Sequence, residues 1–152
     1  MTQPTPAVIA AARASAAKWR IPASVSLAQW ALESGWGASM PPGSLNPFGI
    51  KATAGQLSVT VPTREVLNGK SVMINAAFRK FASLEEAFDL HAKLLATGTA
   101  YAAFRAALPD LVKATDALGG STPAHPRYAT DPLYGSKLRA IINGSNLKAY
   151  DA

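Results

Sequence analysis

The dipeptide Asn68-Gly69 stands between two runs of alternating character, Leu57 to Leu67 and Lys70 to Phe81, in a chain whose other apolar residues recur at helical spacing. A two-residue Asn-Gly connection is the strongest short-range hairpin signal, because a type I′ turn needs positive φ at both central positions. One hairpin among helices restricts the chain to a mainly α (α+β) fold with a single small sheet. The tight turn also predicts the register: Glu65 opposite Val72, Thr63 opposite Ile74, Val61 opposite Ala76, and Val59 opposite Phe78. Paired residues share a face, so Glu65 falls on the apolar side, while Arg64, Ser71, Asn75 and Arg79 fall on the other. A carboxylate on a packed face needs a reason.

The helical segments are marked by their ends. Pro6 to Arg20 carries Val8, Ile9, Ala12, Ala16 and Trp19 on one stripe and stops before Ile21-Pro22, since the residue before proline avoids the helical region. Ser24 reads as the N-cap of a second helix running through Leu32 to Ser34. Residues 35–55 hold five glycines and three prolines, which predicts a long irregular segment; such loops are uncommon in small domains and are often functional. Ser83-Leu84-Glu85-Glu86 is a capping box opening a helix through Leu95, closed by Gly98. Tyr101 to Leu118 reads as two short helices split near Leu108-Pro109. Gly119 to Arg127 is a Gly/Pro-rich loop, and Asp131-Pro132 reads as N-cap and first residue of a last helix to about Ile142.

A chain of 152 residues is expected to form one domain, residues 1–152, with no linker to a second. With no cysteine, two histidines and nine carboxylates, disulfides, thiolate chemistry and a dedicated metal site are not expected. Fifteen basic residues give a net charge of +6, which favours a polyanionic partner. They are scattered, so nucleic acid is not the expected partner; an anionic bacterial surface fits better. The start from Met1 to Arg20 lacks the pattern of a leader, and no apolar run is long enough to span a membrane. The expectation is a protein made in the cytoplasm that something else exports or releases.

Glu33 is the only acidic residue before Glu65. It sits in Ala31-Leu32-Glu33-Ser34-Gly35-Trp36-Gly37, where the second helix breaks on glycines. Ionised, it would lie at the negative end of the helix dipole, and Trp30 and Trp36, each three residues away, would withhold water. Both effects favour the protonated form, which is what a general acid requires near neutral pH. The alternative is a surface glutamate beside a glycine C-cap.

Several segments together resemble a known family. Ser26-Leu27-Ala28-Gln29, the segment Ala31 to Gly37, and Asn46-Pro47-Phe48-Gly49-Ile50-Lys51 are similar to those of the peptidoglycan N-acetylglucosaminidases of glycoside hydrolase family 73. Ala77 to Phe81, Ser83 to Phe88, and Tyr128-Ala129-Thr130-Asp131-Pro132-Leu133-Tyr134 continue the match in order, over roughly residues 22–143. The resemblance implies a lysozyme-like helical domain with the hairpin flanking a sugar groove. It implies hydrolysis of the β-1,4 bond on the reducing side of N-acetylglucosamine in peptidoglycan, without a cofactor. Glu33 matches the family's general acid, Glu65 the second glutamate proposed to activate water, and Tyr128 and Tyr134 tyrosines lining the cleft near the scissile bond, Tyr128 as a catalytic candidate and Tyr134 as a substrate-binding one. Carboxylates roughly 5–5.5 Å apart would favour retention and roughly 6.5–9.5 Å inversion; a mobile hairpin or the substrate's own acetamido group could also serve.

Other residues carry two readings. Trp36 and Phe48 are either core or sugar-stacking platforms, and Asn46 and Lys51 either bind substrate polar groups or organise the 35–55 loop. Glu65 is either the second carboxylate or a hairpin surface residue. His91, at helical spacing from Leu84, Phe88 and Leu95, reads as a satisfied core histidine; His125 reads as solvated and Asp131 as a cap. Trp30, Pro47 and the long Gly119–Arg127 stretch depart from the family pattern. The expected protein is a monomeric lysin of the endolysin type acting on bacterial peptidoglycan. A muramidase or lytic transglycosylase, or an inactive wall-binding or assembly module, is the alternative.

Overall fold

Thr5 opens the first helix, α1 (Pro6–Trp19): its side chain accepts from the Val8 N–H at 3.3 Å, and Pro6 occupies a first-turn position where no donor is needed. Arg20 ends it in the left-handed region, with φ of 59°. The computed structural model describes residues 3–152; Met1 and Thr2, which begin the stretch read above for a leader, lie outside the described residues. The inner stripe of α1 is small (Val8, Ala11, Ala12, Ser15), which lets it lie directly against α3 (Leu84–Thr97).

The second helix, α2 (Ala23–Ser34), is the central one. Every residue from Ala23 to Ala31 is buried, so only its final turn reaches solvent. Ser24 is not its N-cap, as the sequence suggested. The helix begins one residue earlier, and Ser24 gives both its backbone N–H (2.8 Å) and its hydroxyl (2.6 Å) to the carboxylate of Asp151. The cap is therefore supplied from the far end of the chain, with a negative charge at the positive end of the helix dipole.

Strands β1 (Ser58–Leu67) and β2 (Lys70–Arg79) pair in the register expected from the Asn-Gly turn, Glu65 opposite Val72 included. Asn68 and Gly69 both take positive φ, 52° and 76°. Residues 50–52 of the preceding loop run along the outer edge of β2: Arg79 N–H donates to the Ile50 carbonyl and Ala52 N–H to that of Ala77, both at 2.9 Å. The long irregular segment is thus fastened to the hairpin.

Helix α3 is capped by Ser83, whose hydroxyl accepts from the Glu86 N–H at 3.1 Å, while the Glu86 carboxylate accepts from Ala82 rather than Ser83. Gly98 closes it without left-handed geometry (φ −68°); a Cβ there would meet the Leu94 carbonyl at 2.7 Å and the Tyr101 ring at 2.8 Å. Short helices α4 (Ala102–Ala107) and α5 (Leu111–Asp116) flank Leu108-Pro109 as expected, and Asp110 caps the second. The last helix, α6 (Tyr134–Gly144), starts later than Asp131-Pro132 implied. Asp131 instead accepts from the Leu133 N–H and, through its carbonyl, from that of Tyr134, so it caps a preliminary turn. The core is built on Ile21, Leu27, Phe81, Phe88, Leu95, Phe104, Leu138 and Ile142. No helix among the described residues is long and apolar enough to cross a membrane.

Candidate active site

The turn after α2 is organised to present Glu33. Gly35 takes φ of 55° and its N–H returns to the Ala31 carbonyl. Buried Ser34 donates to the Trp30 carbonyl at 2.5 Å and accepts from the Gly37 N–H at 2.8 Å. Gly37 has φ of 87° and its α-carbon packs on the Trp30 indole, where a Cβ would stand 3.2 Å from the ring. Trp36 meets Trp30 edge to face, with centroids 5.7 Å apart, and stays half-buried. These contacts hold the final turn of α2 rigid, with the Glu33 side chain opening from it to solvent.

Behind Glu33 is a continuous polar chain. The Tyr134 hydroxyl donates to Glu33 Oε1 at 3.0 Å and accepts from the Gln29 amide nitrogen at 2.9 Å. The Gln29 carbonyl oxygen lies 2.8 Å from Nε2 of His91. Partial burial raises the Glu33 carboxyl above its ordinary range, opposed by the Tyr134 donation. Burial lowers His91 to about 3, so its ring is neutral. Burial and the nearby Glu33 push the Tyr128 hydroxyl well above its usual range, and burial does the same for Tyr134. Both tyrosines therefore act as neutral phenols.

In front of Glu33 is a cleft of about 390 Å³, walled on one side by Met40 and Pro41 and on the other by Val61, Thr63 and Phe78 of the hairpin. Apolar walls with one carboxyl at the end suit a ring with apolar faces and polar edges. A larger groove of about 580 Å³ lies between α1, Leu108-Pro109 and Tyr150. Its carboxylate, Asp151, is already committed to Ser24, so volume alone does not identify the site.

The structure sorts the predicted site residues. Glu33 and Asn46 line the cleft. Asn46 is nevertheless a loop organiser: its amide donates to the carbonyls of Ile50 (2.7 Å) and Arg79 (3.0 Å), and its oxygen accepts from the N–H groups of Phe48 and Ile50. Phe48 is not a sugar platform. It is 3% exposed and stacked on His91 at 4.0 Å, with Phe88 at its edge. Tyr134, also 3% exposed, does not line the cleft as expected; its hydroxyl is spent on Glu33 and Gln29. Tyr128 is not among the residues lining the cleft either: half-buried, it is stacked on Tyr134 with centroids 5.9 Å apart and donates to the Phe48 carbonyl at 3.4 Å.

Glu65 is not among the residues lining the cleft. It lies one dyad beyond Thr63 on the same strand face, roughly 7 Å further along, and pairs with Lys51 at 3.0 Å. Lys51 is thereby a partner of Glu65. His125 is exposed, as read from the sequence; His91 is core as read but not fully satisfied, since Nε2 meets Gln29 while Nδ1 has no partner among the described residues. Sequence reasoning missed Gln29. A buried amide one helical turn before the acid, on the same stripe, was the available signal. Among the described residues no cluster of three His, Cys, Asp or Glu could hold a metal ion.

Comparison with known proteins agrees with this geometry. The chain is 41% identical over 136 residues to a "Probable N-acetylmuramidase" of Lactococcus lactis, covering 84% of this chain and 30% of that one. It is 35% identical to the "Exo-glucosaminidase LytG" of Bacillus subtilis, covering 88% of this chain and 48% of that protein. The chain thus spans less than half the length of these relatives. Among solved structures, the catalytic domain of the autolysin Auto from Listeria monocytogenes superposes with a TM-score of 0.83 at 34% identity, over 99% of this chain and 90% of that one. The glycoside hydrolase domain of Salmonella typhimurium FlgJ, C-terminally truncated, gives 0.70 at 33% identity, over 94% of each. Residues 9–147 match the family model described as mannosyl-glycoprotein endo-beta-N-acetylglucosaminidase, and with a hairpin-flanked cleft ending on a carboxyl raised above its ordinary range the chain belongs to that glucosaminidase family.

Proposed function

We propose that this protein hydrolyses the β-1,4 bond between N-acetylglucosamine and N-acetylmuramic acid in bacterial peptidoglycan, as an endo-β-N-acetylglucosaminidase. The observation that carries the reading is Glu33: a carboxyl biased toward its protonated form, hydrogen-bonded from behind by Tyr134 and open in front to a cleft. Such a group can give its proton to the departing glycosidic oxygen as the C1–O bond breaks. Water then adds to C1 from the other face and loses a proton to a base, and Glu33 is reprotonated for the next turnover. Glu65 is the proposed base. Its pairing with Lys51 one dyad beyond the cleft means that it reaches the water only after the hairpin closes and Lys51 turns to the substrate. The alternative nucleophile is the substrate's own acetamido group, with Glu65 in support.

The family membership, the similarity to peptidoglycan hydrolases and the cleft support this reading; the net charge of +6 suits an anionic wall. Acting as a monomer, the protein would work at the cell wall after release or delivery from the cytoplasm, as a lysin. The name of the Lactococcus relative, a probable N-acetylmuramidase, favours a second reading, muramidase action on the same polymer. Digestion of purified peptidoglycan by wild type and Glu33→Gln, followed by borohydride reduction and mass spectrometry, separates the cases. Reduced glucosamine ends from wild type alone are the expected result. Muramic or anhydromuramic ends would transfer the enzyme to the rival specificity, and no release by a folded wild type would leave a binding module.

A further inference from the structure

Gln29 precedes Glu33 by four residues on α2, so the two project from one stripe of the helix. Gln29 and His91 are fully buried and Tyr134 nearly so. Buried polar groups have few ways to share their hydrogens. His91 is neutral and carries one N–H. Its Nδ1 has no partner, and an orphaned buried N–H is rarer than an orphaned acceptor, so the hydrogen belongs on Nε2, facing Gln29 Oε1. That sets the Gln29 amide with its nitrogen toward Tyr134. The phenol oxygen accepts this N–H, and its own single hydrogen goes to Glu33 Oε1. Each assignment forces the next, from a ring on α3 to the carboxyl at the end of α2.

We propose that His91 and Gln29 are positioning residues for Glu33, acting through Tyr134: they lock the phenol as a donor to Oε1, so that neutral Glu33 carries its proton on Oε2. Oε2 takes no protein hydrogen bond among the described residues and is the oxygen left to meet the glycosidic bond. Without Gln29 the phenol rotor is released and can accept from Glu33 instead. The proton then spends time on Oε1, turned toward the protein and away from substrate. The inference rests on Glu33 being the general acid.

The groups facing this chain are few. His91 comes from α3, Tyr134 from α6, and Tyr128 from the loop before it, with Tyr101 beyond; Lys51 and Glu65 pair with each other on the hairpin side. With His91 lowered to about 3 and Tyr101, Tyr128 and Tyr134 all raised, the rings along this chain stay uncharged, and the carboxyl they adjoin is itself moved upward by burial.

The test is steady-state kinetics on soluble glycan strands of defined length, with pH profiles of kcat/KM. Gln29→Met, of similar length but without the amide, should lower kcat about tenfold with KM within about twofold, one hydrogen bond's worth of rate. It should also move the alkaline limb of the profile upward, because the freed phenol donates less to the carboxylate. His91→Phe should do the same, and His91→Gln, which keeps an N–H for Gln29, should recover most of the lost kcat. A folded Gln29→Met with wild-type kcat and an unmoved limb, or with only a lower Tm, overturns the inference. If Gln29→Met does not fold, equal kinetics for His91→Phe and His91→Gln overturn it instead. Glu33→Gln is run beside them. Wild-type turnover by that variant would remove the acid assignment itself, whereas an inactive Glu33→Gln with an unaffected Gln29→Met removes only the positioning role.

Discussion

Tyr134→Phe deletes one oxygen atom, and the structure says what that atom does. As Glu33 releases its proton in the transition state, negative charge grows on the carboxyl that Tyr134 hydrogen-bonds at 3.0 Å. A hydrogen bond to a charged group contributes about 1.5–3 kcal/mol, and each ~1.4 kcal/mol is a factor of ten, so kcat should fall roughly 10- to 150-fold. KM should hold within about twofold, since a side chain 3% exposed does not touch substrate. The sign of the pH effect follows from the same bond. The phenol stabilises the carboxylate and so opposes the upward shift caused by burial. Without it the acid keeps its proton to higher pH, and the alkaline limb of kcat/KM moves up. The Gln29 amide also loses its acceptor in a dry site, at about 1–3 kcal/mol of stability. For a chain of this size that is about 2–4 °C in Tm per kcal/mol. The assay is kcat, KM and pH profile on soluble glycan strands, with thermal unfolding followed by circular dichroism. A raised KM at unchanged kcat would return Tyr134 to the cleft wall, and an unaltered kcat and profile would refute the argument.

Asp151→Ala removes the remote cap of α2 and leaves the buried Ser24 hydroxyl without its partner, so it should cost about 1–3 kcal/mol; a Tm within 1 °C of wild type would show that the contact contributes nothing. Phe48→Ala should destabilise by about 3–5 kcal/mol as a core cavity, whereas Trp36→Ala, half-exposed beside the acid, should cost less stability and more activity; the reverse ranking, by urea unfolding and muropeptide release, would mean that their places have been misjudged. Together with an inactive but folded Glu33→Gln, these outcomes separate the groups that hold the fold from those that work on the bond.

What could be read along the chain concerned contacts made within a few residues. The hairpin and its register follow from Asn68-Gly69 and the period of two, which act across a turn where partners are already adjacent. Ser83 caps its helix through a donor three residues on, the Leu108-Pro109 break is local, and the family motifs located Glu33. The failures at Ser24, Phe48 and Asn46 involve distant partners, and only the one at Asp131 is local. Ser24 looked like a cap because no local pattern announces Asp151, and Asp131 looked like a helix start because its turn resembles one. Phe48 could equally have faced a sugar until the fold stacked it on His91, and Asn46 became a loop organiser only when β2 arrived beside it. The polar chain behind Glu33 joins residues of α2, α3 and α6 through hydrogen bonds that span 62 to 105 positions. Helix packing brings those polar atoms into one dry line, and burial gives the line its direction, because a buried donor or acceptor must take the partner that packing leaves it.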